Sequence, residues 1–229
     1  MKYFFSIIIC IFFSSNGQSQ IYEIGVFAGG SNLIGDVGST QYIAPNKPAF
    51  GAIFKWNRSP RHSYRFSIIS TTLEALDNQS DDPRRIERGY TFSNNLLELA
   101  AGVEFTFIDF NLHYNGVLAT PYLYTGFTAA NHDNHYFSNG IQTSEGTNSW
   151  AYGIPMAIGF KMTLNRKFIL GLEIGARYTF SDELDGSVPE TESLQPNFSF
   201  GNVNNNDWYM FTGLTLTYTF GRNSCYCKF

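Results

Sequence analysis

The chain has 229 residues and a formal net charge of −4, and 17% of its residues are aromatic while only 15% are charged. This acidic, aromatic-rich balance argues against nucleic-acid binding, which requires a basic face. The length suits one domain, and the mean hydropathy of −0.16 leaves open both a soluble secreted β-protein and an outer-membrane barrel.

The N-terminal residues have the three parts of a secretory signal peptide. Lys2 precedes an apolar run over residues 3–13, and Gly17 and Ser19 lie three and one residues before a cleavage point ahead of Gln20. The run is shorter than the roughly 20 residues that a transmembrane helix requires. We therefore predict a signal peptide over residues 1–19, one barrel domain over residues 20–220 and a C-terminal tail over residues 221–229.

Large apolar residues alternate with small or polar residues in eight segments, and this period of two is typical of strands with two different faces. In residues 97–107, for example, leucine, valine and phenylalanine share one face, whereas Glu98 and Glu104 share the other. Several segments reach the roughly 9–11 residues that a tilted membrane strand needs. The predicted strands cover residues 21–30, 48–57, 63–73, 97–107, 118–130, 152–162, 168–180 and 208–220.

The predicted connections alternate between short and long. Short links follow the second, fourth and sixth strands, over residues 57–62, 109–117 and 163–167. Long links follow the other strands, over residues 31–47, 74–89, 131–149 and 182–206. Outer-membrane barrels have short periplasmic turns and long outer loops. The pattern predicts an all-β fold, an eight-stranded antiparallel up-and-down outer-membrane barrel, monomeric, with both termini in the periplasm of a Gram-negative bacterium.

Charged residues recur on the small-residue face of the predicted strands. A soluble sandwich would expose them, whereas the interior of an eight-stranded barrel is just wide enough to be filled by side chains. Four acids and four bases in so narrow a lumen are expected to pair as a plug, which we favour over a proton or substrate path. The predicted lumen charge network is Glu23, Lys55, Arg65, Glu98, Glu104, Lys161, Glu173 and Arg177.

The opposite face carries long apolar rows, which predict contact with outer-membrane lipid. Aromatic residues concentrate near the predicted strand ends, as expected of the two girdles at the membrane interfaces. These residues are Tyr90, Phe92, Trp150, Tyr152, Trp208 and Tyr209 towards one end, and Trp56, Phe168, Tyr218 and Phe220 towards the other.

The sequence contains no Gly-x-Ser-x-Gly, His-Glu-x-x-His or phosphate-binding motif, so we predict no enzyme and no cofactor. All four histidines, including His62 and His113, fall in predicted turns, loops or strand edges, which leaves a membrane lipid hydrolase as an unsupported alternative. His132, Asp133 and His135 resemble a short metal-binding cluster, but no further ligand is in view and we predict no metal.

Cys225 and Cys227 lie in the predicted tail, one residue apart. In an oxidising periplasm they are able to join in a strained ring, stay reduced or bond to a partner, and the sequence leaves these outcomes open. With Tyr226 and Phe229 they make the tail a candidate periplasmic contact.

The mature chain resembles the PorG-like outer-membrane barrels of the Bacteroidota type IX secretion system. The most characteristic segment runs from Thr179 to Gly186 and is followed by Asp207-Trp208-Tyr209, although the family often has an aromatic residue and a second Asp where this chain has Glu183 and Gly186. Further matching segments are residues 22–25, 34–36, 48–51, 55–57, 92–98, 104–107, 120–123, 153–161 and 173–177.

The resemblance implies a non-enzymatic barrel that contacts the periplasmic ring proteins of the secretion machine and helps to couple that ring to the membrane. The alternatives are a generic small barrel of the adhesin or envelope-integrity type and the lipid hydrolase.

Overall fold

A computed structural model of the protein describes residues 21–114, 116–202 and 206–221. Within these residues eight strands pair with their chain neighbours, and β1 pairs with β8, so the sheet closes into an antiparallel barrel. The predicted fold is confirmed. The strands are β1 Ile21–Ile34, β2 Lys47–Asn57, β3 His62–Leu76, β4 Thr91–Thr106, β5 Ala119–Ser138, β6 Ile141–Thr163, β7 Phe168–Thr179 and β8 Trp208–Phe220.

Among the residues that the structure describes, helical structure is confined to two short helices and one 3₁₀ turn in the connections. Helix α1 spans Pro83–Arg88, helix α2 spans Gln195–Phe198, and the 3₁₀ turn spans Asp77–Gln79. None of the helices in the described part of the chain is long and apolar enough to cross a membrane. The predicted signal peptide and residues 222–229 of the predicted tail lie outside the described residues.

The two ends of the barrel differ in their connections. One end, called the turn end below, has the links over residues 58–61, 107–118 and 164–167 together with Ile21 and Gly221. The opposite end, the loop end, has the links over residues 35–46, 77–90 and 180–207. The predicted lengths are confirmed for five of the seven links. The β4–β5 link, predicted to be short, has 12 residues, as many as the β1–β2 link.

The prediction of a long loop over residues 131–149 is wrong, because β5 and β6 continue through these residues as a hairpin. The strands are joined by a two-residue turn at Asn139 and Gly140, whose φ angles are 51° and 82°. Positive φ at both residues is the signature of the hairpin turn for which Asn-Gly is the preferred sequence. Polar residues are abundant here because the hairpin extends past the strands beside it.

The interior of the barrel is arranged in three layers along its axis. An apolar cluster fills the loop end, the predicted charged residues lie in the middle, and a smaller cluster of Ile21, Phe110, Leu112 and Ile169 closes the turn end. The loop-end cluster contains Phe27, Leu33, Val37, Ile53, Ile69, Leu73, Phe92, Leu96, Phe137, Leu184, Tyr209 and Phe211, together with four alanines.

The outer wall is apolar. Ile24, Phe50 and Phe127 are 56%, 62% and 77% exposed, and they belong to rows of large exposed side chains on every strand. A soluble protein rarely exposes so continuous an apolar surface, whereas lipid covers it in an outer-membrane barrel.

Candidate functional site

All eight residues of the predicted lumen charge network lie inside the barrel, and each is at most 2% exposed. They are placed inward by the strict alternation of side chains along each strand. Cross-strand register also brings some of them together, since Lys55 pairs with Glu23 on one side and with Arg65 on the other.

Glu104 of β4 is the centre of the larger ionic cluster. Its Oε2 is 2.6 Å from the Lys55 Nζ, and its Oε1 is 2.6 Å from the Lys161 Nζ. A guanidinium nitrogen of Arg65 lies 4.0 Å from the same carboxylate. Three bases on β2, β3 and β6 thus converge on one acid, and the cluster ties four strands together across the lumen.

Glu173 compensates the positive charge of that cluster. Its carboxylate forms a salt bridge with Arg65 and accepts a hydrogen bond of 2.8 Å from the Tyr122 hydroxyl. The Arg65 guanidinium also lies 4.5 Å from the centre of the Tyr124 ring. A buried guanidinium is stabilised by such paired and stacked neighbours.

A second ion pair, nearer the loop end, joins Glu98 of β4 to Arg177 of β7. The Arg177 Nε is 3.1 Å from Glu98 Oε2, and the Tyr209 hydroxyl donates a 2.6 Å hydrogen bond to the same oxygen. The Phe211 ring lies 4.5 Å from the Arg177 guanidinium carbon. The pair therefore separates the charged layer from the apolar loop-end cluster.

Glu23 is held by neutral donors. Asn57 Nδ2 donates to one carboxylate oxygen at 2.9 Å, and Thr217 Oγ1 donates to the other at 2.7 Å. With four acids and four bases the charged layer is electrically balanced, and every one of these side chains has a named partner. This arrangement stabilises a filled lumen, and a filled lumen lacks the water column that ion conduction requires.

The loop end is closed by the β7–β8 link, a feature that the sequence analysis missed. Leu184 is fully buried in the loop-end cluster. The adjacent Asp185 carboxylate accepts hydrogen bonds from the backbone N–H groups of Asp36, Val37 and Ser187. These hydrogen bonds hold the β7–β8 link against the β1–β2 link, and the Leu184 side chain occludes the loop end of the barrel.

Several carboxylates of the β7–β8 link, called the cap below, have raised pKa values. Burial raises the pKa of Asp185 and of Asp207. Burial, followed by the charges of Asp185 and Asp36, raises the pKa of Asp182 to about 7. Burial and the neighbouring Glu190 likewise raise the pKa of Glu183 to about 7. The cap therefore holds protons at neutral pH that an unfolded chain would release.

Asp77, in the β3–β4 link, has a lowered pKa and remains an anion. Its carboxylate accepts hydrogen bonds from the Gly38 and Tyr90 backbone N–H groups and forms a salt bridge with Arg88 at 2.7 Å. Although burial alone would raise it, the pKa of Asp77 is lowered because Arg88 and the two N–H groups stabilise the anion. Asp77 thus fastens the β3–β4 link to the β1–β2 link.

The side chains of His132, Asp133 and His135, weighed above as a possible metal-binding cluster, do not converge. His132 is buried, Asp133 is exposed, and the two side chains lie on opposite faces of β5. Within the described ranges no group of three or more His, Cys, Asp or Glu side chains is placed to hold a metal ion. Cys225 and Cys227, the predicted contact or disulfide residues, lie outside the described residues.

Aromatic side chains form a belt around the outside of the turn end. Tyr22 stacks on Phe54 and Phe220 with ring centres 5.9 and 5.7 Å apart, and Phe168 contacts Tyr218 at 5.5 Å. The predicted girdle at the loop end is correct for Tyr152 and Trp150, which are 62% and 46% exposed.

Three residues assigned to the loop-end girdle belong inside the barrel. Phe92 and Tyr209 are fully buried, and Tyr90 stacks on Phe137 at 4.4 Å within the loop-end cluster. The alternation places Phe92 and Tyr209 on inward faces, so an aromatic near a strand end is a girdle residue only when its face points outward.

The closed eight-stranded topology, the apolar wall and the aromatic belt define a small β-barrel of the outer-membrane type. The sequence matches the family described as Domain of unknown function (DUF6089) over residues 2–229, and the chain belongs to that family. No curated relative matches the sequence.

Solved outer-membrane proteins have similar folds at low sequence identity. The attachment invasion locus protein Ail of Yersinia pestis, in complex with the heparin analogue sucrose octasulfate, is 12% identical, with 89% of this chain and 100% of that chain covered and a TM-score of 0.49. A major outer membrane protein from Thermus thermophilus is 12% identical, with the same coverage and a TM-score of 0.48. Neisserial surface protein A is 10% identical, with coverages of 90% and 100% and a TM-score of 0.46.

Proposed function

We propose that this protein is a plugged outer-membrane anchor that holds a periplasmic assembly of a type IX secretion machine at the membrane. The observation that carries the proposal is the filled interior, in which a neutral ionic layer lies between two apolar clusters. A barrel without a water-filled lumen has its function on its surfaces. The resemblance to PorG-like barrels supplies the identity of the assembly.

The orientation is part of the same proposal. We place the turn end, with both chain termini, in the periplasm, because short turns face the periplasm in barrels of this kind. The two ends also differ in charge. Four of the five charged residues of the turn-end links are basic, whereas carboxylates predominate at the loop end.

Co-purification from cross-linked envelopes of the native host tests the proposal. The tagged intact protein is expected to recover periplasmic ring components of the secretion machine. Truncation after Gly221 removes the predicted contact tail and is expected to lower the recovery, whereas trimming the β5–β6 hairpin at residues 134–147 is expected to leave it unchanged. Recovery of no secretion component by the intact protein would refute the assignment, and full recovery by the truncated protein would refute the role of the tail.

One observation favours a second candidate, a surface-interaction protein. The β5 strand continues past its last pair with β4, His132 with Leu96, and the hairpin presents Ile141, which is 70% exposed, next to its turn. An adhesin would lose its binding phenotype when this hairpin is trimmed, and changes at the turn end would have little effect. The same two variants therefore separate the two functions.

A further inference from the structure

A small groove lies at the turn end between the β4–β5 link and the β6–β7 turn. It encloses about 110 Å³ and is lined mainly by apolar side chains. An engineered apolar cavity of about 150 Å³ admits benzene, so this groove fits one apolar side chain rather than an acyl chain. The lining includes Leu112, Tyr114, Val117, Leu118, Leu164 and Arg166.

The rim of the groove is apolar and exposed. Val117, Tyr114 and Leu164 are 74%, 61% and 51% exposed, and all three lie in connections beyond the strand ends. The lipid-facing rows, by contrast, lie on the strands themselves. The three side chains extend the exposed apolar surface past the strand ends, and an exposed apolar cluster of this kind marks a surface that binds another molecule.

The floor of the groove is preformed. Leu112 belongs to the apolar cluster that closes the turn end of the lumen. The Leu118 N–H donates to Thr163 Oγ1 and the Thr163 N–H donates to the Leu118 carbonyl, both at 2.9 Å. The Phe110 N–H donates to the Pro60 carbonyl at 2.9 Å, which fixes the base of the link. A preformed site loses little conformational entropy on binding.

The charged residue of the groove lining is basic. Arg166 is exposed and has no salt-bridge partner in the described part of the chain. Elsewhere at the turn end, Asp109 forms a salt bridge with Arg61, and the Lys167 Nζ lies 5.8 Å from the centre of the Tyr218 ring. An exposed cation beside an apolar pocket favours a ligand that carries carboxylates next to an apolar side chain.

From this geometry we infer that the groove binds a segment of a periplasmic protein in which an apolar side chain is flanked by Asp or Glu residues. The inference rests on the proposed function for the presence of a periplasmic partner. Charge complementarity favours such a segment over the chain's own tail, because residues 222–229 carry Arg222 and Lys228 and no Asp or Glu.

Peptide binding to the purified mature protein in detergent micelles tests the inference. The probe is a fluorescent hexapeptide with Leu-Phe between two pairs of acidic residues, and binding is followed by fluorescence anisotropy. One comparison peptide replaces the acids with lysines, and the other replaces Leu-Phe with Gly-Ser. We expect the acidic apolar peptide to bind at least about tenfold more tightly than either, since tenfold corresponds to only 1.4 kcal/mol.

Variants locate the binding site. Val117→Asp and Arg166→Glu are expected to weaken binding about tenfold or more, whereas Ile43→Asp, at a site 57% exposed at the loop end, is the matched control and is expected to have no effect. Heat-modifiable gel migration verifies that each variant forms the barrel. Both rim residues are exposed. If Val117→Asp does not fold, Arg166→Glu still tests whether the peptide binds in the groove.

Three results would overturn the inference: equal binding of all peptides, unchanged binding by both rim variants, or loss of binding when anionic phospholipid is added. Tighter peptide binding after truncation at Gly221 would also overturn it by assigning the groove to the tail. Failure of the proposed function is distinguishable. In that case the peptide binds through Val117 and Arg166 but the intact protein co-purifies with no secretion component.

Discussion

The carboxylate of Glu98 and the guanidinium of Arg177 meet inside the barrel at 3.1 Å, and neither side chain is exposed to solvent. They belong to β4 and β7, which are not neighbours in the sheet, so the pair spans the lumen. A charge in this position cannot be hydrated if its partner is removed.

Breaking this pair is expected to destabilise the barrel strongly. Glu98→Gln leaves the Arg177 guanidinium buried without its salt-bridge partner, and removing one partner of a buried pair costs about 3–5 kcal/mol. Urea unfolding in detergent, followed by tryptophan fluorescence, measures the loss. The double variant Glu98→Gln with Arg177→Met is expected to recover much of it, since the uncompensated charge is then gone.

The exposed pair of Arg84 and Asp82 is the matched control. The Arg84 side chain is 90% exposed, so Arg84→Ala is expected to leave the unfolding midpoint unchanged. An equal loss of stability in the Glu98 and Arg84 variants would show that the lumen pair is not dehydrated as described.

The intact barrel is expected to carry no steady current in a planar bilayer. The ionic layer around Glu104 and the apolar clusters at both ends fill the lumen. Single-channel recording in about 1 M potassium chloride, with a large porin as the positive control, is the measurement. A reproducible conductance from the pure protein would contradict the plugged interior and favour a transport function.

Shortening the Leu184 side chain is expected to loosen the β7–β8 link at the loop end. Leu184 is fully buried, and Leu→Ala in an apolar core costs about 2–5 kcal/mol. We expect Leu184→Ala to speed proteolysis within residues 181–202, measured by mass spectrometry of the fragments. Leu194→Ala, at a partly exposed site in the same link, is the control, and equal cleavage of the two variants would contradict the role of Leu184.

The cap is expected to be more stable at mildly acidic pH because of Asp182. Its ordinary pKa is 3.8, whereas burial and the nearby Asp185 and Asp36 raise the pKa to about 7 in the folded protein. The folded state therefore binds more protons than the unfolded state between these two values. The stabilising contribution is complete below pH 3.8 and is lost as the pH rises through about 7.

Asp182→Asn removes this titration. The variant is expected to resist proteolysis of the β7–β8 link better than the wild type at pH 8, and the difference is expected to shrink as the pH falls to 5. Asp82→Asn is the control, since Arg84 lowers the pKa of Asp82. A wild type as resistant as Asp182→Asn at pH 8 would contradict the raised pKa.

Much of the fold follows from local periodicity, which is why the eight strands and the inward direction of residues such as Glu104 and Arg177 were predictable from the sequence. The β5–β6 hairpin was predictable in principle, because Asn139-Gly140 is a strong hairpin signal. Apart from Tyr136, Phe137 and Ile141, the residues of the hairpin from 133 to 148 are polar or glycine on both faces, so alternation did not reveal the strands.

The three-layer interior was not predictable. Leu184 and Val37 meet only because two links fold over the barrel mouth, and Phe110 and Leu112 enter the lumen from a link with no regular period. Such contacts depend on tertiary geometry rather than on residue spacing. The turn-end groove arises in the same way, from two links that β5 and β6 bring side by side and whose own residues have no regular period.

Secretion by the native host tests most directly the claim that this plugged barrel acts from its turn end. Cells carrying Val117→Asp with Arg166→Glu are compared with cells in which residues 134–147 of the β5–β6 hairpin are trimmed, at matched levels of folded barrel. We predict that the turn-end variant secretes markedly less type IX cargo than the wild type and that the trimmed variant secretes normally. Normal secretion by the turn-end variant together with loss of secretion by the trimmed variant would contradict the account.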